Sequence, residues 1–291
     1  MKVLVTGATG YVGREVAAAV AEAGHETRGL VRPGSTSSVP AGVTPVSGDV
    51  TDLASLKGAV HGVDAIVNLV AILDGSDAEF EAVNAGGPRN VVAAAESAGV
   101  RRLLHMSAAG VTERNAPRTR YWRTKLAGKR EVMESSLDWT VYEPSFVFGK
   151  GGGALKTFEG LLRPPVVAVI GDGRYRHQPV WIGDVARAYV VALERPETIG
   201  KRYELGGPQV FEFNELLDDL ARITGRPPRR KIHVPVGLMK AQAAVLSHFP
   251  PPLKVTREQI EMLIEGTECD LTGMREDLRI EPASLVEAYT K

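Results

Sequence analysis

Three residues of this sequence have the types and the order needed to move a proton: Ser107, Tyr121 and Lys125. Tyr121 and Lys125 stand four apart in the run YWRTK, so on a helix they share one face, one turn apart. A tyrosine with a pKa of about 10 is a poor base at neutral pH. A fixed ammonium beside it is expected to favour the phenolate and lower that value. Ser107, in the run HMSAAGV, would hydrogen-bond a carbonyl or hydroxyl of a bound small molecule. Together the three make a proton-transfer unit of the kind that works beside a hydride carrier. Two other readings compete. Lys125 and Tyr121 would hold a nucleotide ribose without turnover, or they are ordinary helix surface.

The elements that must position them begin at the first residue. Val3, Leu4 and Val5 read as a buried strand. Gly7, Gly10 and Gly13 follow in G-x-x-G-x-x-G spacing, and residues 14–23 repeat apolar side chains at helical period. Strand, glycine turn and helix form a phosphate cradle: Gly7 makes the turn, Gly10 lets a pyrophosphate approach, and Gly13 lets the helix pack on the strand. The helix start, with Thr9, Tyr11 and Val12 around the glycines, offers free N–H groups to the phosphates.

Residues 25–32 read as a second strand ending at Arg32. An acid there takes the ribose hydroxyls of NAD, and a base pairs with the 2′-phosphate of NADP. No acid occupies the place, so NADP(H) is the expected cofactor, with NAD(H) the alternative because arginine also stacks on adenine. Residues 63–73 form a near-continuous apolar run, as a central parallel strand should. Leu69, Val70 and Ala71 fall at its carboxyl edge, where the backbone would pass under the nicotinamide ribose. Residues 79–98 read as a helix ended by Gly99. Residues 102–107 then form a strand that delivers Ser107 to the crevice, and 137–150 another that leads to a ligand loop.

Beyond the KGGG run at 150–153, βα alternation weakens, so a hinge or lid base is expected there. Arg174, Arg176, His177 and Gln178 cluster ahead of Pro179 and would bind an anionic or polar group, or form a solvated loop, the preferred reading for His177. Asp184 is expected to cap a helix running to Leu193. Asn214 or a neighbour would cap a helix over 213–224. Further helices are expected over 236–249, stopped by Pro250, Pro251 and Pro252, and over 256–266. A closing segment over 278–289 would bury Leu285 and Val286.

The chain has 291 residues, 35 basic and 35 acidic, so its formal charge is zero and nucleic acid is not an expected partner. Cys269 is the only cysteine, which excludes an internal disulfide and a Cys-based metal cluster. No apolar run reaches membrane-spanning length. With the nucleotide strand at the first residues, neither signal nor transit peptide is expected, and the location is read as cytoplasmic.

TGATGYVG, HMSAAGV, YWRTK, DWTVYEPSFVFG, GDGRYRHQPVWIGDVARA and YELGGP run in this order, and a tail with VPVGLMK and TREQIEML follows. The whole resembles the extended and atypical short-chain dehydrogenases/reductases, a group that includes the NAD(P)H-binding accessory subunit of respiratory complex I and its free-standing bacterial relatives. The resemblance implies an α/β fold: a Rossmann-type doubly wound parallel sheet with a smaller mixed C-terminal substrate lobe. The nucleotide domain would take residues 1–149 and the lobe 150–291, with about 180–207 returning to the first domain. It implies that Asp49 and Val50 line the adenine pocket, although Asp49 also suits an Asx turn and Asp52 a helix cap. It implies that Asn84 braces loops, and that Pro144 and Phe146 touch the nicotinamide amide. Where the group often has Arg-Pro, this chain has Glu143–Pro144, which makes Glu143 a buried partner for a cation or a substrate contact. The activity implied is that of an oxidoreductase or epimerase-like enzyme acting on a small molecule. The alternative is a non-catalytic NADP(H)-binding assembly or sensor protein, whose C-terminal lobe meets a membrane surface or a protein partner.

Overall fold

The alternation of apolar side chains along the first strand decides the architecture. Val3 and Val5 enter one core and Leu4 another, and all three are fully buried. A strand buried on both faces needs helices on both sides, which is the arrangement seen. The computed structural model describes residues 1–149, 152–246 and 256–290.

Strands β1 (Lys2–Thr6), β2 (Glu26–Val31), β3 (Val43–Ser47), β4 (Ala65–Asn68), β5 (Arg102–Met106) and β6 (Asp138–Pro144) alternate with helices. These are α1 (Tyr11–Glu22), α2 (Leu53–Ala59), α3 (Asp77–Phe80), α4 (Gly87–Ala98) and α5 (Arg120–Met133). The C-terminal half adds strands β7 (Val147–Gly149), β8 (Val166–Ile170), β9 (Arg176–His177), β10 (Val180–Trp181), β11 (Lys201–Leu205), β12 (Phe211–Glu212) and β13 (Arg230–Val234). Its helices are α6 (Gly153–Leu161), α7 (Ile182–Glu194), α8 (Phe213–Ile223), α9 (Val236–Leu246), α10 (Arg257–Glu265), α11 (Thr272–Glu276) and α12 (Leu285–Thr290).

The central sheet has seven strands in the order β11-β6-β5-β4-β1-β2-β3, all parallel. Val16, Ala17 and Val20 of α1 and Val185, Ala188 and Tyr189 of α7 cover one face. Leu56 of α2, Val91 and Ala95 of α4 and Val132 of α5 cover the other. The strand order reverses between β1 and β4, and parallel α/β sheets bind ligands outside the carboxyl ends at such a point. Another core gathers Phe148, Phe158, Val167, Phe213 and Leu217 around β8 and α8. Among the described residues no helix is long and apolar enough to cross a membrane.

Several elements depart from the sequence reading. The helix expected over 79–98 is broken by a widened π-helical stretch, Glu81–Gly86, although Gly99 ends it as expected, at φ +71°. Asp184 does not cap α7. The cap is Trp181, and the buried Asp184 carboxylate accepts from the Ala283 backbone N–H at 2.7 Å, tying the last segment to α7. The cap of α8 is the neighbour Glu212 rather than Asn214, in a capping box with Glu215. Leu285 is buried, but Val286 faces solvent because the two adjacent side chains of α12 point different ways. Residues 150–151 of the glycine run and the prolines at 250–252 lie outside the described residues, and α6 begins where only a hinge was expected.

Candidate active site

The glycine turn sits at the strand-order reversal. Gly7 has φ +74°, a left-handed conformation that side chains disfavour, and a Cβ on it would come within 3.2 Å of the Leu69 carbonyl carbon after β4. A Cβ on Gly13 would lie 1.9 Å from the Gly7 oxygen, so only glycine lets α1 pack this closely on the turn. A Cβ on Gly10 would meet only that same oxygen, at 3.3 Å, so the outer side of the turn is open. Gly10 caps α1 without a side-chain hydrogen bond, which leaves the first N–H groups of the helix, from Tyr11, Val12 and Gly13, for an anion. A dinucleotide pyrophosphate fits this cradle.

Other expected cofactor contacts surround it. Arg32 follows β2 and is exposed, while Arg14 on α1 donates to the Ser38 carbonyl and fixes the neighbouring loop. Asp49 makes the Asx turn, accepting from Thr51 N–H at 2.8 Å, and Asp52 caps α2. The buried Val50 lends its carbonyl to Asn90, at 2.9 Å. Leu69 N–H donates to Thr6 Oγ1, and half-buried Val70 and Ala71 follow at the crevice. Thr9 is half-buried in the glycine turn. The Tyr11 ring packs under Gly149, Gly152 and Gly153, and its hydroxyl is buried without a partner. Asn84 braces: its side chain bonds both the N–H and the carbonyl of Ile72, at 2.9 and 3.0 Å.

Ser107 follows the end of β5, and α5 brings Lys125 to the residue before it. Ser107 is held by its N–H on the Tyr142 carbonyl at 2.7 Å. Its hydroxyl is buried and has no hydrogen-bond partner, which is a cost a site accepts for a ligand it has still to bind. Thr119 caps α5 through Trp122 N–H, and the helix then buries Tyr121 and Lys125. Lys125 Nζ donates to the Met106 carbonyl at 2.6 Å, immediately before Ser107. One turn further, Lys129 Nζ donates to the Val111 carbonyl and to Glu143 Oε1, both at 2.7 Å. Glu143 is therefore the buried partner of a cation.

The electrostatics correct one expectation. Lys125 does not pull the Tyr121 phenol down. Burial pushes Tyr121 up to about 12, while the Lys125 ammonium donates to the Met106 carbonyl. Lys125 itself is lowered to about 7, first by burial and then by the like charge of Lys129. His105, buried behind them, is pushed well below its usual range by burial and by the two lysines.

Pro144 ends β6, and Ser145 is anchored to Thr267 Oγ1 at 2.7 Å. The Phe146 ring lies 4.6 Å from that of His177. His177 is not part of a solvated loop. It is fully buried, its Nδ1 is 3.0 Å from Thr267 Oγ1, and burial lowers it to about 4. Gln178 is also buried, donating to the Gly207 carbonyl, whereas Arg174 and Arg176 are exposed and Arg176 pairs with Glu268. The sequence reading missed Lys129, whose signal was a third residue at the same helical spacing, Tyr121, Lys125, Lys129. The helix expected over 256–266 is α10, Arg257–Glu265, but its packing of Met262 against the Tyr121 cluster was not foreseen.

The profile of the NAD dependent epimerase/dehydratase family matches residues 3–206. A (4-alkanoyl-5-oxo-2,5-dihydrofuran-3-yl)methyl phosphate reductase from Streptomyces griseus is 31% identical over 277 residues, 94% of this chain and 88% of that protein. Subunit 9 of the NADH dehydrogenase [ubiquinone] 1 alpha subcomplex, mitochondrial, from Arabidopsis thaliana is 28% identical over 97% of this chain and 74% of its own length. The crystal structure of DesIV, a dTDP-glucose 4,6-dehydratase from Streptomyces venezuelae with NAD and TYD bound, has a TM-score of 0.76 at 19% identity. That match covers 99% of this chain and 94% of that one, and it shows the shared fold.

Proposed function

Because the chain belongs to the NAD dependent epimerase/dehydratase family, among NAD(P)-dependent oxidoreductases of the extended short-chain dehydrogenase/reductase superfamily, we propose that it reduces a small carbonyl compound with NADP(H). The observation that carries this is the unpartnered Ser107 hydroxyl, buried one residue from the carbonyl that Lys125 holds. The reading is cytoplasmic, supported by the single cysteine.

A bound nicotinamide supplies the hydride. The chain supplies the rest. The backbone N–H groups after Gly10 hold the pyrophosphate, Arg32 holds the 2′-phosphate, Asp49 and Val50 border the adenine, and Pro144 and Phe146 border the nicotinamide. Burial keeps the Tyr121 phenol protonated well above neutral pH, which suits a proton donor to a substrate carbonyl oxygen. Ser107 donates to the same oxygen and orients it. Lys125, held on the Met106 carbonyl, would offer its remaining N–H groups to the ribose. Tyr121 would give its proton to the carbonyl oxygen, so that reduction leaves an alcohol.

The test is thermal unfolding with NADPH, NADH or neither, for the wild type and Arg32→Ala. A ligand at a hundred times its Kd stabilises by about 2.7 kcal/mol. NADPH should stabilise more than NADH, and Arg32→Ala should erase the difference. A melt insensitive to both, with no nicotinamide released on denaturation, overturns the reading. A second reading, a cofactor-holding assembly protein, is supported by the identity to the complex I subunit. A strong NADPH shift with no turnover of any carbonyl compound would favour it.

A further inference from the structure

We infer that the part of the substrate lying against Tyr121 is apolar and uncharged, and that Met262 of α10 is the side chain that selects it. This rests on the reductase reading above and adds its substrate class: ketones or aldehydes with an aliphatic or alicyclic body.

The inference starts from what α10 does to the approach to α5. Three arginines stand before and at the start of α5: Arg114, Arg118 and Arg120. Each is matched by a carboxylate of α10. Arg114 and Arg118 pair with Glu265, Arg118 also pairs with Glu261 at 2.7 Å, and Arg120 pairs with Glu258 at 2.9 Å. Arg120 reaches Asp77 as well, at 2.7 Å. The helix is thus fastened along its length, from Glu258 in its first turn to Glu265 at its end.

Fastened this way, α10 sets Met262, partly buried, on the cluster formed by Phe80, Val111, Tyr121, Trp122 and Leu126. Ile72, from the loop after β4, and Ala108, next to Ser107, are partly buried on the same cluster. The hydrophobic side chains that pack with Tyr121 are aromatic, aliphatic and, at Met262, a thioether. A partly buried methionine is also the apolar side chain best able to reshape around different aliphatic bodies.

The charges point the same way. Lys125 is bound to the Met106 carbonyl, Lys129 to Glu143, and the three arginines to α10. His177 is held neutral by burial. A phosphate or carboxylate brought to α10 would face Glu258, Glu261 and Glu265, with Arg114, Arg118 and Arg120 already paired to them. Arg174 lines a different feature, an open groove of about 650 Å³ shared with Asp172, Asn214 and His233.

The experiment uses the full chain loaded with NADPH and two probes, undecanone and UDP-glucose. Binding is read by intrinsic tryptophan fluorescence, since Trp122 belongs to the cluster, and turnover by nicotinamide absorbance. Undecanone should bind and be reduced, and UDP-glucose should do neither. Met262→Gln should weaken undecanone binding and raise its KM about tenfold or more, with the NADPH-induced melting shift unchanged and Met262→Leu close to wild type. Preference for UDP-glucose, or Met262→Gln indistinguishable from wild type toward undecanone, overturns the inference. Ketone binding that depends on Met262 without any reduction upholds the apolar site and overturns the reductase reading instead.

Discussion

Glu143 and Lys129 form a buried ion pair behind the candidate site, and cutting it has two consequences that can be measured separately. Their side chains are 10% and 7% exposed and meet at 2.7 Å. Arg202 is the only other cation paired with Glu143 among the described residues. At 4.0 Å and half exposed, it cannot replace Lys129. Glu143→Ala therefore strands a buried ammonium, which costs about 3–5 kcal/mol. Unfolding entropy of about 2.1 cal/mol/K per residue gives about 0.6 kcal/mol/K for a chain of 291 residues, so Tm should fall by about 5–8 °C. Lys129→Met with Glu143→Leu removes both charges and should recover most of that loss. Lys129→Met alone also removes the like charge that helps hold Lys125 near 7, so the pH limb governed by Lys125 should move upward. The assay is a double-mutant cycle by thermal unfolding, with a pH profile of reduction. A Glu143→Ala protein that melts within about 1 °C of wild type would refute the reasoning.

Arg32→Ala should weaken NADPH binding about 10–100-fold, the worth of charge-assisted hydrogen bonds to a phosphate, and leave NADH binding unchanged, as titration of each nucleotide would measure. Gly13→Ala places a methyl where 1.9 Å separates it from the Gly7 oxygen, so stability should drop by at least about 1–3 kcal/mol in a denaturant melt, with weaker nucleotide binding. His177 falls from 6.5 to about 4 on folding, so between these values the unfolded chain binds the extra proton. Stability should rise with pH across that window, by up to about 3 kcal/mol, and His177→Phe should flatten the slope. Lys125 is lowered in the same sense, so its contribution should rise from about pH 7 toward its unfolded value near 10.5.

Much of the nucleotide half is legible because its signals are local. The apolar run of β1, the three glycines and the period of α1 lie within one stretch, and each physical demand falls on a residue next to the one that makes it. Ser107, Tyr121 and Lys125 are legible for the same reason: strand end and helical spacing place them. The rest depends on partners distant in the chain. His177 is buried because Thr267 and the β12 strand close over it, 90 residues on in the case of Thr267. Asp184 reads as a cap until the Ala283 N–H, 99 residues later, claims its carboxylate. The π-helical stretch at 81–86 belongs with a close approach to α5, where a Cβ on Gly128 would lie 2.2 Å from the Asn84 oxygen. Nothing near residue 84 announces that contact. The Tyr121 phenol rises through burial, and the helical spacing to Lys125 carries no information on burial.

The most direct test of the central claim is single-turnover reduction of a ketone by the NADPH-loaded protein, wild type against Tyr121→Phe. The phenyl ring keeps the packing of the buried cluster and removes only the proton donor. The account predicts an unchanged NADPH-induced melting shift and a chemical step slower by about 10²–10⁴-fold. Equal rates for the two proteins would contradict it and leave Tyr121 a packing residue on α5.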